Sequence, residues 1–275
     1  MTLISRCKQT AMALGLLLFL GQAMAQQELV FGSVAMDIPA EMHKRLTPLT
    51  AYLSQELGMP VRLQLSPNMG DAINKLASGA VDLAYLTPVA YIDSHAKGST
   101  QLLVKTVTKG RDSFQLMIVA RADGPVKSPA DLRGRSFAFG DPKALLQRAV
   151  VVGAGVALDE LGETAFIGHY DNIARGVMAG DFDAGIVKDT KAYEWEKQGL
   201  KIIYTSEPLP PYNIAVRGKL DPAIAARLKV AFLKLDVNNP EHLPVIRALN
   251  KNYDGFADTS DSEYDVVRRL VKPFR

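Results

Sequence analysis

Apolar positions along this chain switch repeatedly between two periods. Short runs of strand length alternate with stretches in which apolar residues recur every three or four positions, the pattern of alternating strands and helices. Glu28 to Val34 reads as a first strand around Leu29, Val30 and Phe31. Met42, Leu46, Leu49, Leu53 and Leu57 then form a helical stripe through Thr47-Pro48, where Thr can cap and Pro can occupy a first turn. Gly58 closes it, and Pro60 prevents its continuation. Val61, Leu63 and Leu65 alternate with Arg62 and Gln64 as a second strand.

The stretch from Met69 to Tyr91 carries the central pattern. Met69, Ala72, Ile73, Leu76 and Ala77 share one helical face, Gly79 sits where the helix would end, and Val81 to Leu86 is a short apolar run. The pattern returns 101 positions later over Asn172 to Val187, where Gly180, Phe182, Asp183 and Gly185 echo Gly79, Val81, Asp82 and Ala84. Two such units predict two similar α/β lobes. Because ligands dock beyond the carboxyl ends of parallel strands, Thr87 to Tyr91 and Lys188 to Thr190 become candidates for facing a small molecule. Asp82 and Asp183 are expected to cap or brace strands.

Between and after the echoes, a helix from about Pro88, a strand over Gln101 to Val107 and an apolar run over Phe114 to Ala120 follow in order. Ser136 to Phe139 reads as a strand ending in the turn Gly140-Asp141-Pro142. A helix from Lys143 would aim its free amides at that strand's exit, a device for holding an anion or a carbonyl. Strands are expected over Thr164 to Ile167 and Lys201 to Tyr204, the irregular segment Ser206 to Tyr212 leads to Ile214-Ala215-Val216, and the tail reads as helical. Phe114 to Ala120 and Ser206 to Val216 are the expected crossings between lobes. Lobe 1 is then residues 26–118 plus 214–275, and lobe 2 is residues 119–213.

Composition narrows the setting. Arg6 and Lys8 precede an apolar run from Ala11 to Leu20, and Ala23-Met24-Ala25 supplies a small-residue cleavage site, so residues 1–25 read as a secretory signal peptide cleaved after Ala25. The single Cys7 lies inside it, which leaves the mature chain without a disulfide or thiol chemistry. Removing that segment takes away two cations and no acid, so the formal charge of +3 falls to +1. Near-neutrality points away from nucleic acid and anionic membrane surfaces. The basic residues of the tail, Arg268, Arg269, Lys272 and Arg275, read as a solvated helix face.

Several stretches taken together resemble a known family. Pro48-Leu49, Tyr52-Leu53, Leu57 to Val61, Gly79 with Val81 to Pro88 and Tyr91, Phe139-Gly140-Asp141-Pro142, Gly168-His169, Gly180 with Asp183-Ala184-Gly185, and Pro208-Leu209-Pro210 resemble, in order, the phosphate/phosphite/phosphonate-binding family of periplasmic ABC-importer proteins. The resemblance implies a type II periplasmic binding protein: two Rossmann-like lobes, a two-stranded hinge, ligand capture by closure, and no catalysis or cofactor. It implies His169 as a ligand-facing residue, and Asp189 near the family's carboxylate, though Asp189 also suits a helix N-cap. Thr87 can face ligand or cap the helix begun by Pro88; Tyr91, Tyr170 and Tyr212 can be cleft aromatics or half-buried core.

The chain also departs from that family. Members that hold phosphonate follow the Gly-Asp-Pro turn with a Ser-Thr-Ser-Gly run, whereas Ala144-Leu145-Leu146-Gln147 stands here. Each charge-assisted hydrogen bond to a phosphoryl oxygen contributes about 1.5–3 kcal/mol, so loss of three hydroxyls predicts weak phosphonate binding. Lys143 could still supply a cation, and Met69 replaces an expected aromatic. A less polar or carbon-bearing oxyanion or small organic acid fits better.

Other chemistries find no support. Val150 to Gly155 resembles the start of a dinucleotide fingerprint but falls inside a predicted helix, with Leu158 at the final glycine position. The four histidines, His43, His95, His169 and His242, have no paired ligand spacing, and no G-x-S-x-G occurs. The expectation is a monomeric, non-enzymatic solute-binding protein of the periplasm that serves an ABC permease or, alternatively, a sensor-kinase ectodomain.

Overall fold

The computed structural model describes residues 28–34, 39–142 and 144–275; the expected signal peptide and Lys143 lie outside them. Among the described residues, eleven strands divide into two sheets. The first contains β1 (Leu29–Val34), β2 (Val61–Ser66), β3 (Leu83–Leu86), β4 (Gln101–Thr108), β10 (Asn213–Val216) and β11 (Tyr253–Ala257), in the order β11-β4-β10-β3-β1-β2. The second contains β5 (Leu116–Arg121), β6 (Phe137–Phe139), β7 (Thr164–Phe166), β8 (Ala184–Lys188) and β9 (Leu200–Thr205), in the order β7-β6-β8-β5-β9. The helices are α1 (Pro39–Leu57), α2 (Met69–Ser78), α3 (Pro88–Gly98), α4 (Leu145–Gly153), α5 (Tyr170–Ala179), α6 (Asp189–Glu196), α7 (Pro222–Leu233), α8 (Leu243–Arg247) and α9 (Asp265–Val271).

The echo is a structural repeat. α2 ends on Gly79 and α5 on Gly180, both left-handed at φ 80° and 88°, a conformation that glycine adopts without steric cost. After each turn an aspartate braces the neighbouring strand: the Asp82 carboxylate accepts from the Val30 amide at 2.8 Å, and that of Asp183 from the Ser136 amide at 3.0 Å. β3 then pairs parallel with β1, and β8 parallel with β6.

The chain passes between sheets twice, over residues 109–115 and 206–212. The two passages meet in an antiparallel bridge, where Phe114 and Leu209 exchange amide-to-carbonyl bonds of 3.0 and 2.7 Å. The apolar run at Phe114 thus contributes Phe114 and Gln115 to the crossing and the rest to β5.

Two local expectations are corrected. Thr47-Pro48 does not start a helix: α1 runs through Pro48, and the Thr47 hydroxyl donates to the His43 carbonyl at 2.7 Å. An internal proline costs about 3 kcal/mol, but Met42, Leu46, Leu49, Leu53 and Leu57 are all within 2 % of full burial, and that face holds the helix together. Nor is the tail all helical, because Tyr253–Ala257 forms edge strand β11 against β4, with a register shift between Tyr253 and Gly255.

The terminal helix α9 packs on elements of both halves. Val267 and Val271 are fully buried in one apolar cluster with Ala149, Val150 and Val151 of α4 and with Ala90 and Tyr91 of α3. Arg269 pairs with Glu207 of the second crossing at 2.8 Å, and Arg275 pairs with Asp93 of α3.

Candidate functional site

The repeat sets several helix starts around one cleft. α2 and α3 begin at the carboxyl ends of β2 and β3, while α4, α5 and α6 begin beyond β6, β7 and β8. Two contiguous cavities fill the space between. One of about 380 Å³ is lined by Met69, Ile73 and Thr87 from the first half, Leu145, Leu146 and Gln147 from the second, and Phe114 and Tyr212 from the crossings. Another of about 700 Å³ is lined by Asn68, Met69, Thr87, Asp141, Ala144, Gln147, His169, Tyr170 and Tyr212. These volumes lie in the range of ligand pockets.

Around α4 the geometry is tightly held. The Gly140 amide donates to Oε1 of buried Gln147 at 2.8 Å, and the Gln147 side chain also reaches the Tyr170 hydroxyl. A Cβ on Gly140 would sit 2.8 Å from Gln147 Nε2 and 2.9 Å from the Gly168 carbonyl, so the turn requires glycine there. Gly168, at φ 84°, provides the sharp exit that places His169 at the N-cap of α5. The His169 side chain makes no capping bond and is exposed toward the larger cavity. Val150 to Gly153 lie inside α4, as expected, but Ala154 and Gly155 form the turn that ends it, so the run closes a helix instead of joining a strand to a helix start as a phosphate-binding turn does.

Of the residues singled out by sequence, Met69, Thr87, Ala144, Leu145, His169 and Tyr212 come together at these cavities. Thr87 does two things: its hydroxyl accepts from the Ala90 amide at 3.1 Å, capping α3, while the residue lines both cavities. Tyr212 stacks on Tyr85 with ring centroids 5.0 Å apart.

Tyr91 and Asp189 are not brought to these cavities. Tyr91 is 1 % exposed, and its hydroxyl donates to Asp261 Oδ1 at 2.6 Å. Burial, with that carboxylate, pushes its phenol well above the ordinary range. It belongs to the core because the C-terminal segment covers α3. Asp189 is also 1 % exposed; it accepts from the Thr190 amide at 2.7 Å and pairs with Arg111 at 3.0 Å. It holds the β8–α6 junction to the first crossing instead of facing the cleft.

The side chain at the end of β8 that faces open space is Lys188. It lines a third cavity of about 280 Å³, together with Tyr170 and Tyr212 that also border the larger one. Burial lowers its pKa below the usual lysine range. Tyr170, one of the aromatics that the sequence offered for the cleft, lines all three cavities, whereas Gln147 was not singled out and Lys188 only within its stretch. The strand-exit rule that singled out Lys188 to Thr190 was the available signal for Lys188.

Comparison with known proteins agrees with this architecture. Residues 31–264 match the family described as the periplasmic phosphonate substrate-binding protein of an ABC transporter. The phosphate-import protein PhnD of Mycolicibacterium smegmatis is 25 % identical over 265 residues, covering 85 % of this chain and 83 % of that one. A Xanthomonas citri protein solved with bound chloride superposes with a TM-score of 0.71 at 22 % identity, covering 90 % of this chain and 99 % of the other. PhnD1 of Prochlorococcus marinus, solved with methylphosphonate, gives 0.67 at 17 % identity, covering 90 % and 98 %. These structures share the type II periplasmic binding fold. With two linked α/β halves, a double crossing and a cleft between facing helix starts, the chain belongs to the phosphonate-type periplasmic substrate-binding proteins of ABC transporters.

Proposed function

We propose that this protein captures a small oxyanion or organic acid, other than a simple phosphonate, between its two lobes and presents it to an ABC permease. The observation that carries the reading is the convergence of helix starts from both sheets on one cleft, with Leu145 and Leu146 at the start of α4. The first amides of that helix have no intrahelical acceptor and suit a ligand oxygen. The two leucines, with Met69 and Ile73 opposite, suit carbon. The crossings at 109–115 and 206–212 support division of the chain into lobes at those two places. Ligand that touches both lobes favours their closed arrangement, because only there are both sets of contacts made.

Thermal melting with a panel of oxyanions and small organic acids tests this reading. A ligand at a hundred times its Kd stabilises by about 2.7 kcal/mol, a rise of roughly 5–10 °C for a chain this size. At least one carbon-containing acid should reach that shift, and methylphosphonate should give little. A panel without any shift defeats the capture reading, and a large shift with methylphosphonate defeats the reading of the leucines.

A further inference from the structure

Among the described residues, Lys188 is a cation with no ion-pair partner of its own. Among the described residues no carboxylate lies within ion-pair distance of its ammonium, which stands over the Phe114 ring with the centroid 5.0 Å from Nζ, while the charges of Asp189 and Arg111 act on it in opposite senses. The neighbouring Asp189 carboxylate is already committed to Arg111 and to the amides of Gln115 and Thr190. Lys188 is also the N-cap residue of α6, where the positive end of the helix disfavours a second positive charge. A desolvated ammonium in such a place is costly unless something negative comes to it. The ring face offsets only part of that cost.

The cavity beside it shows where that something would sit. It is bordered by Lys188 and Tyr170 from the second half, by Thr106 and Asn252 from the first, and by Tyr212 from the crossing. These are hydrogen-bonding side chains around one cation, with no acid among them. Tyr170 and Tyr212 are shared with the large cavity, so one ligand can extend from α4 past the two tyrosines to Lys188.

We propose that Lys188 is the counter-ion for a carboxylate of the captured ligand, so that the substrate class is a small organic acid whose carboxylate bridges Lys188 and the Thr106 side of the cleft. This rests on the reading of the cleft as a ligand-capture site and adds the charge that the ligand must carry. It also gives the carboxylate a part in closure, because its partners come from both sheets.

The test uses the mature protein, with acetate, succinate, adipate, sulfate and methylphosphonate as probes in calorimetry and thermal melting, on the wild type and on Lys188→Met, Lys188→Arg and His169→Ala. At least one carboxylate should bind the wild type and lose between tenfold and a hundredfold in affinity in K188M, the loss of about one charge-assisted hydrogen bond. K188R should keep most of it. Apo K188M should melt no lower than the wild type, since an uncompensated charge has been removed. Carboxylates that bind K188M as well as the wild type would overturn the assignment of Lys188 while leaving capture in the cleft intact. An apo K188M that melts well below the wild type would also overturn it, by showing a structural role. If no probe binds any of the four proteins, both the assignment and the capture reading fall.

Discussion

Restoring hydroxyls to the start of α4 should create phosphonate binding at a calculable cost. Consider A144S, L145T and L146S combined. Leu145 and Leu146 are half-buried against the large apolar cluster. A fully buried leucine is worth about 1.5–3 kcal/mol, so half of that from each amounts to roughly 2 kcal/mol. Threonine in a first turn costs about 0.5 kcal/mol more in helix propensity. Ala144 is the N-cap of α4 and makes no side-chain cap, so a serine hydroxyl there returns about 1 kcal/mol. The net is a loss of roughly 1–2 kcal/mol, or about 2–8 °C in Tm. Against this, three hydroxyls each able to donate to a phosphonyl oxygen offer about 1.5–3 kcal/mol apiece. Even if ordering them consumes half, roughly 3 kcal/mol remains, about a hundredfold in Kd. Isothermal titration of methylphosphonate into both proteins, with circular dichroism to establish that the triple variant is folded, reads this out. A folded triple variant with less than a tenfold gain, or a wild type that already binds methylphosphonate at micromolar Kd, would refute the reasoning.

Further outcomes concern individual side chains. H169A should weaken whichever acid binds while moving apo Tm by less than about 1 °C, since the exposed imidazole makes no capping bond; an equal loss of apo stability would make His169 structural. Y91F should leave ligand affinity unchanged and lower stability by about 1.5–3 kcal/mol, the worth of a hydrogen bond to a charged acceptor; an affinity loss with unchanged Tm would return Tyr91 to the ligand. D189A should lower stability by about 1–2 kcal/mol, because it strips half-exposed Arg111 and the part-buried Thr190 amide of their acceptor, and a thermal melt indistinguishable from wild type would refute that. Lys105, nearly buried, bridges Asp112 at 2.9 Å and Glu263 at 2.5 Å, and its hydrogen bond holds the Asp112 carboxyl below the ordinary range. A depressed carboxyl stabilises the fold above its unfolded pKa of about 3.9 and loses that contribution as pH falls through the folded value. Tm measured from pH 6 to 3 should therefore fall less steeply in K105M than in the wild type, and identical slopes would show the pair to be inert.

Much of this fold was legible because its signals are local. Gly79 and Gly180 after amphipathic turns, and Asp82 and Asp183 three residues on, specify two copies of one unit. What was not legible depends on partners distant in sequence. Pro48 reads locally as a helix start, and only the burial of five apolar residues on the same face shows that the helix passes through it. β11 is short, flanked by Asn252 and broken by Gly255, so alternation could not reveal it; pairing with β4 creates it. In the site, Tyr91 was misplaced because the segment that buries it lies 170 positions away. Within the candidate stretch Lys188 to Thr190, local sequence does not say which side chain borders a cavity, because parity at the end of β8 is set by its pairing with β5, which brings the Asp189 amide to the Gln115 carbonyl at 2.9 Å and leaves Lys188 lining open space.

The position of α9 lays the last helix across both halves. A swing of one half against the other would shift its contacts on one side or the other: the turn that leads into it is held to α3 by the Tyr91–Asp261 bond, and Leu270 lies close over Gly153 of α4. Substitutions along α9 that loosen its packing on α3 or on α4 are therefore expected to change how easily one half swings against the other without touching the cleft.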